Sequence, residues 1–276
     1  MHLSVCSWSL RPASPADLAD KVLACGLSAV QLALDPIRSW EWRPDEAASL
    51  LRARGIRISS GMMATHAEDY STLATIMATG GIRPDEHWDL NLRNAEACAV
   101  IAARYGLSLV TFHAGFLPHD AADEERGRML DRLRQIALVF AARNVGVALE
   151  TGQEDAETLL AALHGVNESL PARAKIGVNF DPANMILYGM GDPVEALKKL
   201  LPHVRQVHIK DAVPASVPGS WGSEVRVGDG SVDWPGFFAV LASAGRTIPM
   251  VIEREAGEAR TEDVLHAASV IRGYRG

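Results

Sequence analysis

Four short apolar stretches each end on a side chain that can bind a hard cation. The run G-V-A-L-E-T-G from Gly146 to Gly152 delivers Glu150, I-G-V-N-F-D delivers Asp181, V-R-Q-V-H delivers His208 and P-M-V-I-E delivers Glu253. A carboxylate at the exit of a buried strand is costly unless a cation, a hydrogen-bond network or open water compensates it. Three carboxylates and one imidazole make a hard, oxygen-rich donor set. It suits Mn2+, Mg2+ or Co2+, admits Zn2+, and excludes metals that demand only thiolates. Taken singly, each residue has a plainer reading: a helix N-cap or rim ion pair for an acid, a satisfied core group for a histidine. Their joint occurrence at four strand ends points to one divalent cation.

Such a set works only if the four strand ends meet. Strand-like runs are expected at about residues 2–8, 29–34, 57–64, 108–113, 146–151, 175–180, 204–209 and 248–253. Helical patterns lie between them. Ser14-Pro15 opens one with a cap and a Pro at its first position, and Asp192-Pro193 and Asp233-Trp234-Pro235 repeat that signature. Residues 121–143 place Leu130, Leu133, Ile136, Ala137 and Phe140 at helical spacing. Residues 35–44 read as a loop, and 212–232 as a long Gly-rich loop of the kind that usually carries function. Eight strands alternating with helices imply right-handed crossovers and a parallel sheet. The predicted fold class is α/β, a single (β/α)8 TIM barrel domain over residues 1–276. An open nucleotide-binding sheet would need a Gly-rich turn after the first strand, and W-S-L-R-P-A-S-P offers none. In a barrel, strands five to eight are neighbours, so Glu150, Asp181, His208 and Glu253 can converge at one rim.

The totals narrow the function classes. The 276 residues suffice for one such barrel, and a net charge of −7 argues against nucleic acid as a partner. No apolar run reaches about 18 residues, so no membrane span is expected. The first residues lack the pattern of a signal peptide. Cys6, Cys25 and Cys98 are odd in number and widely spaced, which fits free thiols in a reducing, cytoplasmic setting.

At this point the residues resemble a family. Glu150, the run from Asp181 to Asn184, His208-Ile-Lys210-Asp211, the stretch from Gly228 to Trp234, and Glu253 look like the xylose isomerase-like TIM barrels. The likeness covers the whole chain and is strongest from Gly146 to Glu253. That group includes sugar and sugar-phosphate isomerases and 3-epimerases, inosose and dehydroshikimate dehydratases, and an endonuclease branch. The resemblance implies that Glu150, Asp181, His208 and Glu253 hold one catalytic divalent cation. It further implies that Glu150 and Glu253 act as acid and base around a metal-stabilised enediolate. Hydride-shift isomerisation needs a second metal and more carboxylates, and no second set is present. The expected activity is therefore a sugar or sugar-phosphate isomerase or 3-epimerase working by proton transfer. The alternative is a dehydratase acting on a keto-cyclitol, dehydroshikimate or a 3-keto-sugar.

Other polar residues are candidates for contact with a small, sugar-like substrate. His113 and His66 follow strands four and three on the same rim. In the endonuclease branch they would be zinc ligands, but that branch needs a DNA-binding surface, and this acidic chain shows no basic stripe. Asn184 stands where free-ketose epimerases carry a histidine, whereas phosphosugar epimerases show a similar D-x-x-N. Lys210 can meet a substrate oxygen or pair with Asp211, and Arg226 can clamp an anion or sit in solvent. Gly228 and Gly230 can form a backbone nest for phosphate. Trp8 can wall the pocket. Trp40, Trp42, Trp88 and Trp221 are expected in packing or at a homo-oligomer interface.

Overall fold

The computed structural model describes residues 3–120, 122–217 and 219–274. The chain runs through β1 (Leu3–Cys6), α1 (Pro15–Ala24), β2 (Ala29–Ala33), α2 (Asp35–Arg38), α3 (Pro44–Ala53), β3 (Arg57–Met62), α4 (Leu73–Thr79) and α5 (Trp88–Arg104). It continues through β4 (Leu109–Phe112), α6 (Glu124–Ala141), β5 (Gly146–Glu150), α7 (Ala156–Glu168), β6 (Gly177–Phe180), α8 (Pro182–Leu187) and α9 (Pro193–Leu200). The last part is β7 (Val204–Ile209), β8 (Asp211–Val213), β9 (Ser223–Val225), α10 (Trp234–Ser243), β10 (Met250–Ile252) and α11 (Arg260–Gly273).

Eight of these strands close a parallel barrel in the order β1-β10-β7-β6-β5-β4-β3-β2. Every strand pairs in parallel with its neighbours, so all eight C-terminal ends share one rim. The structure is the single (β/α)8 barrel the sequence predicts.

Local chemistry sets the helix starts. Ser14 Oγ accepts from the Asp17 N–H, Asp192 from Glu195 and Asp233 from Gly236, each with Pro in the first turn. A Pro in the first turn also opens α2 and α8, which the sequence reading left out; α8 has a side-chain cap in Asp181 and α2 has none. Asp35-Pro36 starts a helical turn inside the expected loop, and Asp181-Pro182 starts a helix directly at the sixth strand's end. Seven of the eight barrel strands are shorter than expected at one or both ends, and β7 has the expected bounds. His2 and Ala121, at predicted element starts, lie outside the described residues.

The expected Gly-rich loop is not irregular. Its base is an antiparallel ribbon, β8 with β9, pairing Asp211 with Val225 and Val213 with Ser223. Asp211 anchors the segment that follows: its carboxylate accepts from the N–H groups of Gly228, Gly230 and Val232 and from Trp234 Nε1 at 2.9 Å. Glu224 on the second strand accepts from Arg254 Nη1 and from the Glu255 and Ala256 N–H groups, tying the ribbon to the segment after β10.

Each barrel strand sends alternate residues in opposite directions. One set meets the helices, as Phe180 does against Phe237 of α10. The other set fills the barrel with polar groups: Gln31 Nε2 donates to Thr111 Oγ1, Ser60 Oγ to Gln206 Oε1, and Gln206 Nε2 to Asn179 Oδ1.

Candidate metal centre

The rim brings the four predicted ligands together. Glu150 ends β5, Asp181 follows β6, His208 lies near the end of β7 and Glu253 follows β10; these are four consecutive barrel strands. One donor atom from each lies within 4.8 Å of all the others. His208 Nδ1 is 3.3 Å from Glu150 Oε1, 3.4 Å from Glu253 Oε2 and 3.6 Å from Asp181 Oδ2. All four residues are buried.

Two of the donors are orphaned. His208 Nδ1 and Asp181 Oδ2 are buried without a hydrogen-bond partner, a costly state for groups aimed at one point. Their other atoms are fully engaged. Asp181 Oδ1 accepts from the Ala183 and Asn184 N–H groups as the cap of α8, which leaves Oδ2 free. Asp181 is therefore both the helix cap of the plainer reading and a candidate ligand. The ring nitrogen His208 Nε2 is 2.8 Å from Gln31 Oε1. That oxygen can only accept, so with the ring hydrogen on Nε2 the Nδ1 lone pair faces the carboxylates; Asn179 Nδ2 lies 3.0 Å from the same Nε2.

The electrostatics of the cluster are those of a site short of positive charge. Burial opposes a charged imidazole, but Glu150 and Glu253 outweigh it and hold His208 well above the ordinary histidine value. Burial raises the Asp181 carboxyl. Burial also pushes Glu253 up, but Lys210 and His208 prevail and hold it well below the usual carboxylate range. Glu150, Asp181, Glu253 and Glu255 set four carboxylates against the Lys210 ammonium and the His208 imidazole, an excess of negative charge that a divalent cation complements. The residues present fit such an ion.

The further candidates separate into two groups. Lys210 is 3% exposed, and its ammonium lies 2.9 Å from Glu253 Oε2 and 2.5 Å from Glu255 Oε2, with Asn184 Oδ1 at 3.3 Å. It pairs with these acids and not with Asp211. Asn184 Nδ2 donates to Glu150 Oε1 at 3.0 Å, and Trp8 Nε1 donates to Glu253 Oε1 at 2.8 Å. Trp8 is thus a polar partner as well as a wall. His113 flanks the site, with Nε2 3.7 Å from Glu150 Oε1.

His66 and Arg226 are not brought in. The His66 ring packs edge-on against His87 at 4.9 Å, and Arg226 pairs with Asp229 at 2.9 Å on the surface. The expected phosphate nest is also filled from within, because the Gly228 and Gly230 N–H groups already serve Asp211. A Cβ at Gly230 would stand 2.0 Å from Asp211 Oδ1, so that carboxylate needs a glycine there.

Three site residues went unread in the sequence: Glu255, Gln31 and Asn179, whose amide donates to Glu150 Oε2. Glu255 had a signal: it stands two residues after Glu253, as Lys210 stands two after His208, and period-two spacing keeps each pair on one side. Gln31 had none, since its partner His208 is 177 positions away.

Comparisons with known proteins agree with this fold. The uncharacterized protein YihM of Escherichia coli (strain K12) is 38% identical over 73 residues, which are 26% of this chain and 22% of that protein. The structure of a xylose isomerase domain protein from Planctomyces limnophilus matches with TM-score 0.85 and 30% identity over 93% of this chain and 91% of that one. Two more distant structures share the fold. The probable 3-DHS dehydratase AsbF from Bacillus anthracis has TM-score 0.73 and 18% identity, covering 99% of each chain. A D-allulose 3-epimerase from Methylomonas sp. has TM-score 0.73 and 15% identity, covering 99% of this chain and 98% of that one. The family model described as "Xylose isomerase-like TIM barrel" matches residues 19–274, and the chain belongs to that family.

Proposed function

We propose that the protein is a divalent-metal-dependent isomerase or 3-epimerase of a sugar or sugar phosphate, acting on a hydroxyketone unit by proton transfer. One observation carries this reading: the unpartnered His208 Nδ1 and Asp181 Oδ2 share a buried point with Glu150 and Glu253. The same fold in a D-allulose 3-epimerase supports it. A bound Mn2+, Mg2+ or Co2+, or Zn2+, would polarise the substrate carbonyl and stabilise the negative charge of an enediolate.

The protein's own groups do the rest. Glu150 touches no ammonium; the amides of Asn179 and Asn184 orient its oxygens, at 3.2 and 3.0 Å, so it is the better base for the α-proton. Glu253, held by Trp8 and Lys210, returns a proton from the other face. Lys210 and Asn184 orient substrate oxygens, and His113 stands beside Glu150 to receive a hydroxyl.

A second reading, elimination, rests on His113, whose Nε2 lies 3.7 Å from Glu150 Oε1 and can serve as the general acid for a leaving hydroxyl. The fold shared with a probable dehydratase fits it.

Metal analysis of purified protein, followed by solvent-deuterium exchange against ketoses, keto-inositols and 3-keto-glycosides, tests the proposal. Stoichiometric metal and exchange at the carbon beside the carbonyl are expected. Absence of both removes the reading. An ultraviolet-absorbing enone product selects elimination.

A further inference from the structure

The end of the barrel away from the metal centre has the opposite electrostatics. The parallel strands all begin on that face, and a cavity of about 380 Å³ lies there among β3, β4, β5, β7, β10 and the turn before β6. Arg173 reaches it from the turn Ala172–Ala174, Lys175 from the segment leading into β6, and Arg205 from the second position of β7. Ser59 and Ser108 are also in its wall, and no acidic residue is. Lys175 and Arg205 border a further cavity of about 540 Å³ with His164 and His203, where Glu168 is the one acid.

The three cations are exposed and stand without counter-ions. Among the described residues, their side chains make no ion pair and no hydrogen bond, whereas Lys198 and Arg226, also exposed, each pair with an acid three residues away. Crowded like charges repel. A chain with 34 Asp and Glu has acids enough to pair them, so the bare cluster is a property of this face and not of composition. Arg205 is held in place as well. A Cβ at Gly177 would stand 2.3 Å from its Cγ and 3.0 Å from its Nε, so the side chain lies across the bare backbone at the start of β6. A neighbour feels the field: burial, and then His164 and Arg205, keep the His203 imidazole below its ordinary value.

We propose that the cavity of Arg173, Lys175 and Arg205 binds a di- or triphosphate group, free or carried on a nucleotide, at the opposite end of the barrel from the metal centre. Three full positive charges exceed the roughly −2 of one phosphate group and suit a chain of two or three. Guanidinium forks take phosphate oxygens in pairs, the ammonium adds a compact charge, and a serine hydroxyl can donate to an oxygen left over. The three cations are brought together only by barrel closure, since Arg205 is 30 or more positions from the other two. The site rests on no part of the proposed reaction.

The test is calorimetric titration of the purified protein, in buffer without added divalent cations, with tripolyphosphate, ATP, orthophosphate and sulfate. Tripolyphosphate should bind at least about tenfold more tightly than orthophosphate or sulfate. Lys175→Ala and Arg205→Ala should each weaken it about tenfold at unchanged melting temperature. Arg205→Lys, which keeps the charge and loses the fork, should lose part of that, and Lys198→Ala on α9 should lose nothing. ATP binding no tighter than tripolyphosphate identifies the free anion as the occupant; tighter ATP binding identifies a nucleotide. No binding, one affinity for all the anions, or unchanged affinity in Lys175→Ala and Arg205→Ala overturns the proposal, the last by placing the anion elsewhere on the protein.

Discussion

The inside of the barrel and the layer between barrel and helices are made from alternate residues of the same strands, yet they obey opposite rules. Phe180 packs on Phe237 and Phe237 on Trp234, an apolar contact set that needs only shape. One residue away, Asn179 and Asp181 join an interior built from amides, hydroxyls and acids. Barrels of this type usually fill their interior with branched apolar side chains. Here it is a hydrogen-bonded chain running from Ser60 through Gln206 and Asn179 to Glu150, with Gln31 holding His208 from the other side. Fully satisfied, such a network fixes positions more sharply than oily packing does; broken, it leaves buried polar groups stranded. The outer layer therefore supplies stability, and the inner one supplies geometry.

Substitutions on the two sides should separate these roles. The largest effect is expected inside. Glu150→Gln should cut α-proton exchange by roughly 10³-fold, while thermal unfolding shows an intact fold; full exchange in that variant would remove Glu150 from the chemistry. In the outer layer, Phe237→Ala should cost roughly 3–5 kcal/mol in urea unfolding, yet leave metal affinity of the folded fraction unchanged. A parallel loss of metal affinity would mean the two regions are not separable.

The third case sits just beyond the rim. Glu154 is 3% exposed and burial raises its carboxyl to about 8. The folded state then binds a proton that the unfolded chain has already released, so stability is full at low pH and declines as pH rises from the ordinary carboxylate range to about 8. Glu154→Gln should flatten that decline, by up to a few kcal/mol at pH 8. Unfolding curves with identical pH dependence in both proteins would contradict the burial argument. The smallest effect is expected for Gln31→Leu, which removes the acceptor for His208 Nε2–H. It should weaken Mn2+ binding of the folded protein about 10- to 100-fold and also lower the melting temperature, because His208 Nε2 and Thr111 Oγ1 lose a buried partner; unchanged affinity in a direct titration would deny Gln31 its orienting role.

How much of this was readable in advance follows from the same division. Glu150, Asp181, His208 and Glu253 stood out because a charged or titratable group ending an apolar run is locally anomalous. The barrel was legible from eight repeats of strand and helix. Gln31, in A-V-Q-L-A, looks like any polar residue in a strand, and only closure of the barrel gives it a partner. The Gly228 and Gly230 nest was misread because a G-x-G pattern shows the donors and not their acceptor; Asp211 lies 17 residues before the first of them. Arg226 was left open between an anion clamp and a solvated cation, and its surface pairing with Asp229 matches the second.

Asp211 and Lys210 are adjacent, and they look opposite ways. One fastens the ribbon from beneath; the other pairs with Glu253 in the candidate metal centre. Because the clamp commits its whole carboxylate to backbone and indole N–H groups, the loop beyond the ribbon can vary in sequence without disturbing Lys210 or its acids.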